Sequence, residues 1–200
     1  MNLSPINKRR LNNFIQNKRG LYSFWIFTFL FVISLFADFI ANEKPLLLKY
    51  NSNIYFPIFQ NYPETTFGGD FETEADYRDP YVVDLIESKG WLIMPIIPYS
   101  YDTIIRNIES PAPSPPSMKN WLGTDDQARD VLSRLIYGFR ISVLFGFTLT
   151  FFSMIIGVSA GAVQGYFGGK TDLFFQRFME VWSAIPTLYV LIILASVIQP

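Results

Sequence analysis

Neither cysteine nor histidine occurs among the 200 residues. The first absence excludes a disulfide framework, a Cys-based zinc site and a thiol nucleophile. The second removes the commonest general base, so any catalysis would rest on carboxylates, Lys, Ser or Tyr. An enzyme is therefore not the expected reading, and no cofactor and no metal is assigned. Net charge is scarce as well: 16 Lys and Arg against 17 Asp and Glu leave −1, and no nucleic-acid partner is expected. What the chain has in excess is apolar surface, since half of its residues are hydrophobic and 20 are Phe. That excess points to a membrane protein before a soluble domain.

The charges are segregated along the chain. Residues 1–20 carry Lys8, Arg9, Arg10, Lys18 and Arg19 and no acid, and they lead into the apolar run 21–40. A helix needs about 20 apolar residues to cross roughly 30 Å of hydrocarbon, so 21–40 reads as a first transmembrane helix behind a cytoplasmic basic tail. A cleaved signal peptide fits poorly, because its apolar region runs only about 7 to 15 residues. Asp38, near the far end of this span, reaches headgroup water.

Residues 41–119 are expected to form a small irregular lobe on the far, periplasmic side of an inner membrane. The inference follows from the basic flank that holds the N-terminus inside. Acids from Glu64 to Glu87, many aromatics, and Pro57, Pro63, Pro80, Pro95 and Pro98 suggest short strands and turns. The acidic run 70–76 lacks the Asp-x-Asp-x-Asp-Gly spacing of a calcium loop and reads as a solvated face. Residues 110–117, SPAPSPPS, form a proline-rich linker back to the membrane surface.

Residues 120–140, NWLGTDDQARDVLSRLIYGFR, read as an amphipathic helix at the membrane interface. Thr124 with Gln127 suggests a capping box, and Asp125 and Asp126 suit the positive helix end. Val131, Leu132, Leu135, Ile136 and Phe139 share an apolar face, and Asp130 and Arg134 stand four residues apart, a pairing worth a few tenths of a kcal/mol if exposed. A second transmembrane helix follows at 141–163, uncharged and rich in small residues, with Gly157 and Gly161 as a helix-packing pair. Residues 164–182 are expected to be a cytoplasmic turn, with Gly165, Gly168 and Gly169, and an amphipathic stretch. This turn lacks the spacing of a phosphate-binding loop. A third transmembrane helix at 183–198 is kinked at Pro186. Three spans give too few helices to enclose a path, so the chain is read as the N-terminal part of a longer multi-pass protein.

Gly123, Thr124, Asp125, Arg129, Asp130, Ser133 and Arg134, with Gly138 and Arg140-Ile141-Ser142, resemble the signature that precedes the second span in C-type permease subunits of dipeptide and oligopeptide ATP-binding-cassette importers. Gly165-Tyr166-Phe167-Gly168-Gly169, Asp172, Arg177 and Ile185-Pro186 resemble the family's next segment. The stretches DPYVVDLIESKGW, PIIPYSYDTI and PAPSPPS are similar to the Yej-type subfamily, linked to peptide and microcin C uptake. The resemblance implies an all-α membrane protein, a multi-span transmembrane helix bundle with a small periplasmic lobe. It also implies a non-catalytic transport role with a second permease subunit, cytoplasmic ATPase subunits, a periplasmic solute-binding protein and the lipid bilayer as partners. Ala128 stands where the family usually has Gly before Arg-Asp, a change a helix tolerates. The family's EAA-type loop, which docks on the ATPase, has no match here. Asp125, Arg129, Asp130 and Arg134 are expected to cap and anchor the interfacial helix rather than touch substrate. A membrane-anchored periplasmic interaction protein is the alternative.

Overall fold

The computed structural model describes residues 4–106, 108 and 110–198. The first three residues of the basic tail, and residues 107 and 109 of the expected lobe, lie outside the described set. The chain divides into two units, Met1–Leu144 and Phe145–Pro200.

In the first unit, α1 (Pro5–Gln16) starts where the Ser4 hydroxyl accepts the Asn7 N–H at 3.4 Å, with Pro5 in the first turn, where its missing N–H costs nothing. Asn17 ends α1 and caps α2 (Lys18–Leu35), accepting the Gly20 N–H at 3.2 Å. α2 is long and apolar enough to cross a membrane. Most of its apolar side chains are exposed, Trp25 and Phe29 among them. In water that exposure would be unfavourable by roughly 25 cal/mol per Å² of apolar surface, whereas hydrocarbon removes the penalty. A short α3 (Ala37–Ile40) leads out of the span.

The segment between the spans contains a three-stranded sheet, so the short strands expected of the lobe are paired with one another. β1 (Leu47–Tyr50) pairs antiparallel with β2 (Asn53–Tyr55) on one edge and β3 (Gly90–Ile93) on the other, giving the order β2-β1-β3. The β1–β2 hairpin turns on Asn51 and Ser52, both at positive φ (46° and 69°), the backbone that a two-residue turn needs to match strand twist. α4 (Pro80–Glu87) opens with Asp79 accepting the Tyr81 N–H at 2.9 Å and buries Val82 and Ile86, one helical turn apart. These elements close over Leu48, Tyr50, Phe67, Ala75 and Tyr77. Phe67 is wholly buried and meets Tyr50, Tyr55, Tyr62 and Tyr77 with ring centroids 5.5 to 6.4 Å apart, mostly edge-on. Four such contacts, each worth about 0.5–1.5 kcal/mol beyond burial, explain how a lobe of this size holds a core of its own. The Tyr77 hydroxyl is buried without a hydrogen-bond partner among the described residues. Burial, with Glu74 and Tyr62 nearby, pushes its pKa above the usual tyrosine range.

A single helix, α5 (Val131–Phe167), replaces the expected interfacial helix at 120–140 and second span at 141–163. Its 37 residues make it about 55 Å long, well beyond the roughly 30 Å thickness of the hydrocarbon. Residues 120–130 are not helical: they form turns and isolated bridges, Thr124 to Asp130 and Ile104 to Arg129. Thr124 therefore does not cap a helix with Gln127. The cap lies six residues further on, where Asp130 accepts the Ser133 N–H at 2.8 Å. The head of this helix also buries polar groups that the amphipathic expectation set apart from its apolar face. Asp130, Ser133 and Tyr137 are buried, whereas Leu135 is 60% exposed. Leu132 and Ile136 of the apolar stripe pack against the same junction, so residues of both faces meet protein and Leu135 is the exposed member of the stripe.

In the second unit, α5 runs through Gly165 to Phe167, which corrects the placement of Gly165 in a turn. The break falls at Gly168 and Gly169 (φ 55° and 51°), where glycine supplies the left-handed backbone, and α6 (Gly169–Ser183) begins there. α7 (Thr187–Ile198) follows Pro186; its 12 residues cover only about 18 Å. α6 and α7, bent by 72° at their junction, qualify as a crossing only when taken together. A side chain at Gly157 or Gly161 would meet nothing among the described residues.

Candidate functional site

The residues singled out ahead of the second span converge at the head of α5, and the reason is hydrogen bonding rather than helical periodicity. Gly123 is buried with φ 76°, and a Cβ there would collide with the Ser114 carbonyl. That glycine lets the chain lie against the proline-rich linker, where the Thr124 N–H donates to Ser114 O at 3.0 Å and the Ser114 N–H donates to Thr124 Oγ1 at 2.9 Å. The linker is thus bonded to the signature and does not hang free as a spacer.

Asp125 organises the turn that follows. Its Oδ1 accepts the N–H groups of Gln127 and Arg129, each at 2.9 Å. Its Oδ2 accepts from Arg129 Nε at 2.9 Å and from Arg134 Nη1. Burial by itself would raise this carboxyl, but the Arg129 and Gln127 N–H groups and the two guanidinium groups hold it down at about 2. The expected Asp130–Arg134 pair is not made, since Arg134 reaches back to Asp125. Asp130, 1% exposed, accepts instead from Asn120 Nδ2 at 2.8 Å and from the Ser133 N–H. A buried carboxylate with charge-assisted bonds on both oxygens is tolerable where an unpaired one would not be. Ser133 Oγ donates to Tyr99 O at 2.9 Å, carrying the network into the lobe.

One turn further along α5 the same helix grips the end of the first span. The Tyr137 hydroxyl lies 2.8 Å from both Asp38 Oδ1 and Ala41 O, and Arg140 Nη1 donates to Asp38 Oδ2 at 2.7 Å. The Arg140 guanidinium also sits over the Tyr137 ring, 4.8 Å from its centroid. Ala37, Ala41, Ile97 and Tyr137 form the small apolar core of this junction. Asp38 is therefore not simply hydrated, since it takes part in an ion pair between the end of the first span and the head of α5. Asn120, Ser114, Tyr99, Tyr137 and Asp38 were not legible as members of the site. The one available signal was a carboxylate at a span end with an Arg elsewhere to neutralise it.

Gly123, Thr124, Asp125, Arg129, Asp130, Ser133 and Arg134 thus form one cluster, while Gly157, Gly161, Gly165, Gly168, Gly169 and Pro186 belong to the second unit. Among the described residues no group of acids is arranged to hold a metal ion. The cluster offers neither a nucleophile with a base nor a cofactor cradle; its chemistry is mechanical, fixing lobe, linker and the head of α5 as one body.

Comparison with known proteins gives concordant results. Residues 7–63 match the family model described as the N-terminal transmembrane domain of oligopeptide transport permease C. The chain is 49% identical to the peptidoglycan transport system permease protein YejE of Agrobacterium fabrum, over 98% of this chain and 58% of that protein. It is 51% identical to the inner membrane ABC transporter permease protein YejE of Escherichia coli, over 99% of this chain and 58% of that protein. With the dipeptide transport system permease protein DppC of Haemophilus influenzae it shares 46% identity over 40% of this chain and 27% of the relative. The chain therefore spans a little under three fifths of the length of the two YejE relatives. No solved structure matches it.

Proposed function

The chain belongs to the Yej-like C-type permeases of ABC importers and is an inner-membrane protein, and from that premise we propose that it forms part of the path by which peptides cross that membrane. The N-terminus lies in the cytoplasm, where Lys8, Arg9 and Arg10 sit on α1 beside the first span. The lobe then faces the periplasm and meets the solute-binding protein. The remaining helices pair with a second permease subunit, with Gly157 and Gly161 on the face of closest approach, and cytoplasmic ATPases supply the free energy. The substrates are oligopeptides, including peptide antibiotics of the microcin C kind.

The observation that carries this reading is the similarity to peptide-transport permeases along nearly the whole chain. The geometry adds a route for coupling. A binding protein pressing on the lobe moves linker, signature turn and the head of α5 together, because Thr124, Asp125, Asp130 and Ser133 bind them into one body. Complementation tests the proposal. In a strain lacking its own Yej-type permease, the full permease carrying this sequence, co-expressed with its partners, restores tripeptide uptake and microcin C sensitivity. Restoration of neither at normal membrane level would refute it.

The second reading, a lobe that works as an interaction module with helices only as anchors, is favoured by the lobe's own core around Phe67. It requires the lobe to bind its partner equally well when Asp125 and Asp130 are replaced. The importer reading requires uptake to fail in those variants while the lobe stays folded.

A further inference from the structure

We infer that the lobe rests on the outer membrane surface through the turn after β2, with Phe56 and Phe59 seated among the lipid headgroups beside the end of the first span. The turn Phe-Pro-Ile-Phe-Gln at 56–60 is closed by the Phe59 and Gln60 N–H groups, which donate to Phe56 O at 3.0 and 3.2 Å. Pro57 is buried in the lobe and fixes the turn, and Ile58 is partly buried. The two aromatic rings point outward, with Phe59 73% and Phe56 46% exposed. Two exposed Phe residues on one tight turn leave apolar surface in water without a reason in the lobe itself.

The position of that turn identifies what covers it. Phe59 packs edge-on against Phe39 with centroids 5.9 Å apart, and Phe39 is followed at 6.4 Å by Phe36. Phe36 and Phe39 are themselves exposed and lie directly past the end of α2, at the boundary of the lipid-crossing surface. The interfacial layer of a leaflet is about 5–8 Å thick, and Phe59 lies a single ring contact of 5.9 Å from Phe39 at the end of the span. The turn thus continues the apolar surface of the first span outward onto the lobe. Contact with the bilayer edge, not a groove for a protein, accounts for the exposed rings of Phe36, Phe39 and Phe59 in one chain of contacts, with Phe56 on the same turn as Phe59. A lobe held at the span end by Asp38, Tyr137 and Arg140 and on the surface by Phe56 and Phe59 has two fixed points and cannot swing freely.

Residues 1–200 contain no cysteine, so a single cysteine can be placed among them once any cysteine elsewhere in the full permease has been replaced. Phe59→Cys, Phe56→Cys and, as an aqueous control, Phe71→Cys, which is 64% exposed elsewhere on the lobe, are each spin-labelled in the full permease. The permease is reconstituted in vesicles of phosphatidylethanolamine and phosphatidylglycerol, and collisions with oxygen and with a water-soluble nickel chelate are compared. Labels at 56 and 59 are expected to meet oxygen several-fold more readily, relative to nickel, than the label at 71. Equal ratios at all three positions would overturn the inference. Labels at 56 and 59 shielded from both reagents would overturn it too, because that outcome means a protein partner covers the turn.

Discussion

Ala128 stands at φ 59°, a left-handed conformation that costs a residue with a Cβ roughly 1–2 kcal/mol. The backbone there cannot relax, because its N–H donates to Asp125 O at 3.1 Å and its carbonyl accepts the Ile105 N–H at 2.9 Å. The substitution Ala128→Gly removes the steric cost but frees the unfolded chain, which offsets about 0.5–1 kcal/mol of the gain. The net expectation is a stabilisation of about 0.5–1 kcal/mol, confined to the signature turn. Hydrogen exchange on the permease in nanodiscs reads it at the Ile105 amide, which should exchange about two- to fivefold more slowly in the glycine variant. The substitution Ala128→Val, which adds branching at Cβ, should speed exchange at the same amide. If the glycine variant exchanges as fast as the parent or faster, the left-handed geometry at this position is not what limits the turn. The expectation that a helix would tolerate alanine here fails for one reason: residue 128 is not in a helix.

Asp130→Ala removes the cap of α5 and leaves the Asn120 amide buried without its acceptor, so a loss of about 2–3 kcal/mol and a lower melting temperature in detergent are expected. In a double-mutant cycle, Asp38→Ala and Arg140→Ala should each destabilise the junction, and the pair together should cost less than their sum, by about 1 kcal/mol; strict additivity would show that the two groups do not interact. The Asp125 carboxyl, held at about 2 in the folded protein against about 3.9 in an unfolded chain, contributes stability that is whole above about pH 4 and disappears as pH falls through 2. Melting curves at pH 7, 4 and 2.5 should therefore show a steep loss in the parent below pH 4, and a flatter profile from a lower starting point in Asp125→Asn.

Membrane insertion was legible from residues 21–40 and 141–163 alone, because hydrocarbon selects on length and apolarity, which are one-dimensional properties of a chain. The family was legible for a similar reason: the residues from Gly123 to Arg140 keep their spacing whatever structure they adopt. The role of each of those residues was not legible. Thr124 and Gln127 have the spacing of a capping box, yet Ser114, ten residues upstream, holds the threonine. Asp130 and Arg134 have the spacing of a helical ion pair, yet Asn120 and Asp125 are their partners. The apolar stripe from Val131 to Phe139 was legible, but not that Asp130, Ser133 and Tyr137 would be buried more deeply than it, because helical periodicity does not say which neighbour packs on which face.

Sequence by itself determined that the chain enters a membrane and what kind of protein it resembles. Both depend on patterns read along the chain. Only the tertiary structure decided which carboxylate faces which cation, that the linker is bonded to the signature turn, and that Asp38 at the end of one span holds Arg140 at the head of another helix. Those contacts join residues up to 102 positions apart. Their geometry is set by the packing of the lobe between the two helices, and no local propensity encodes it.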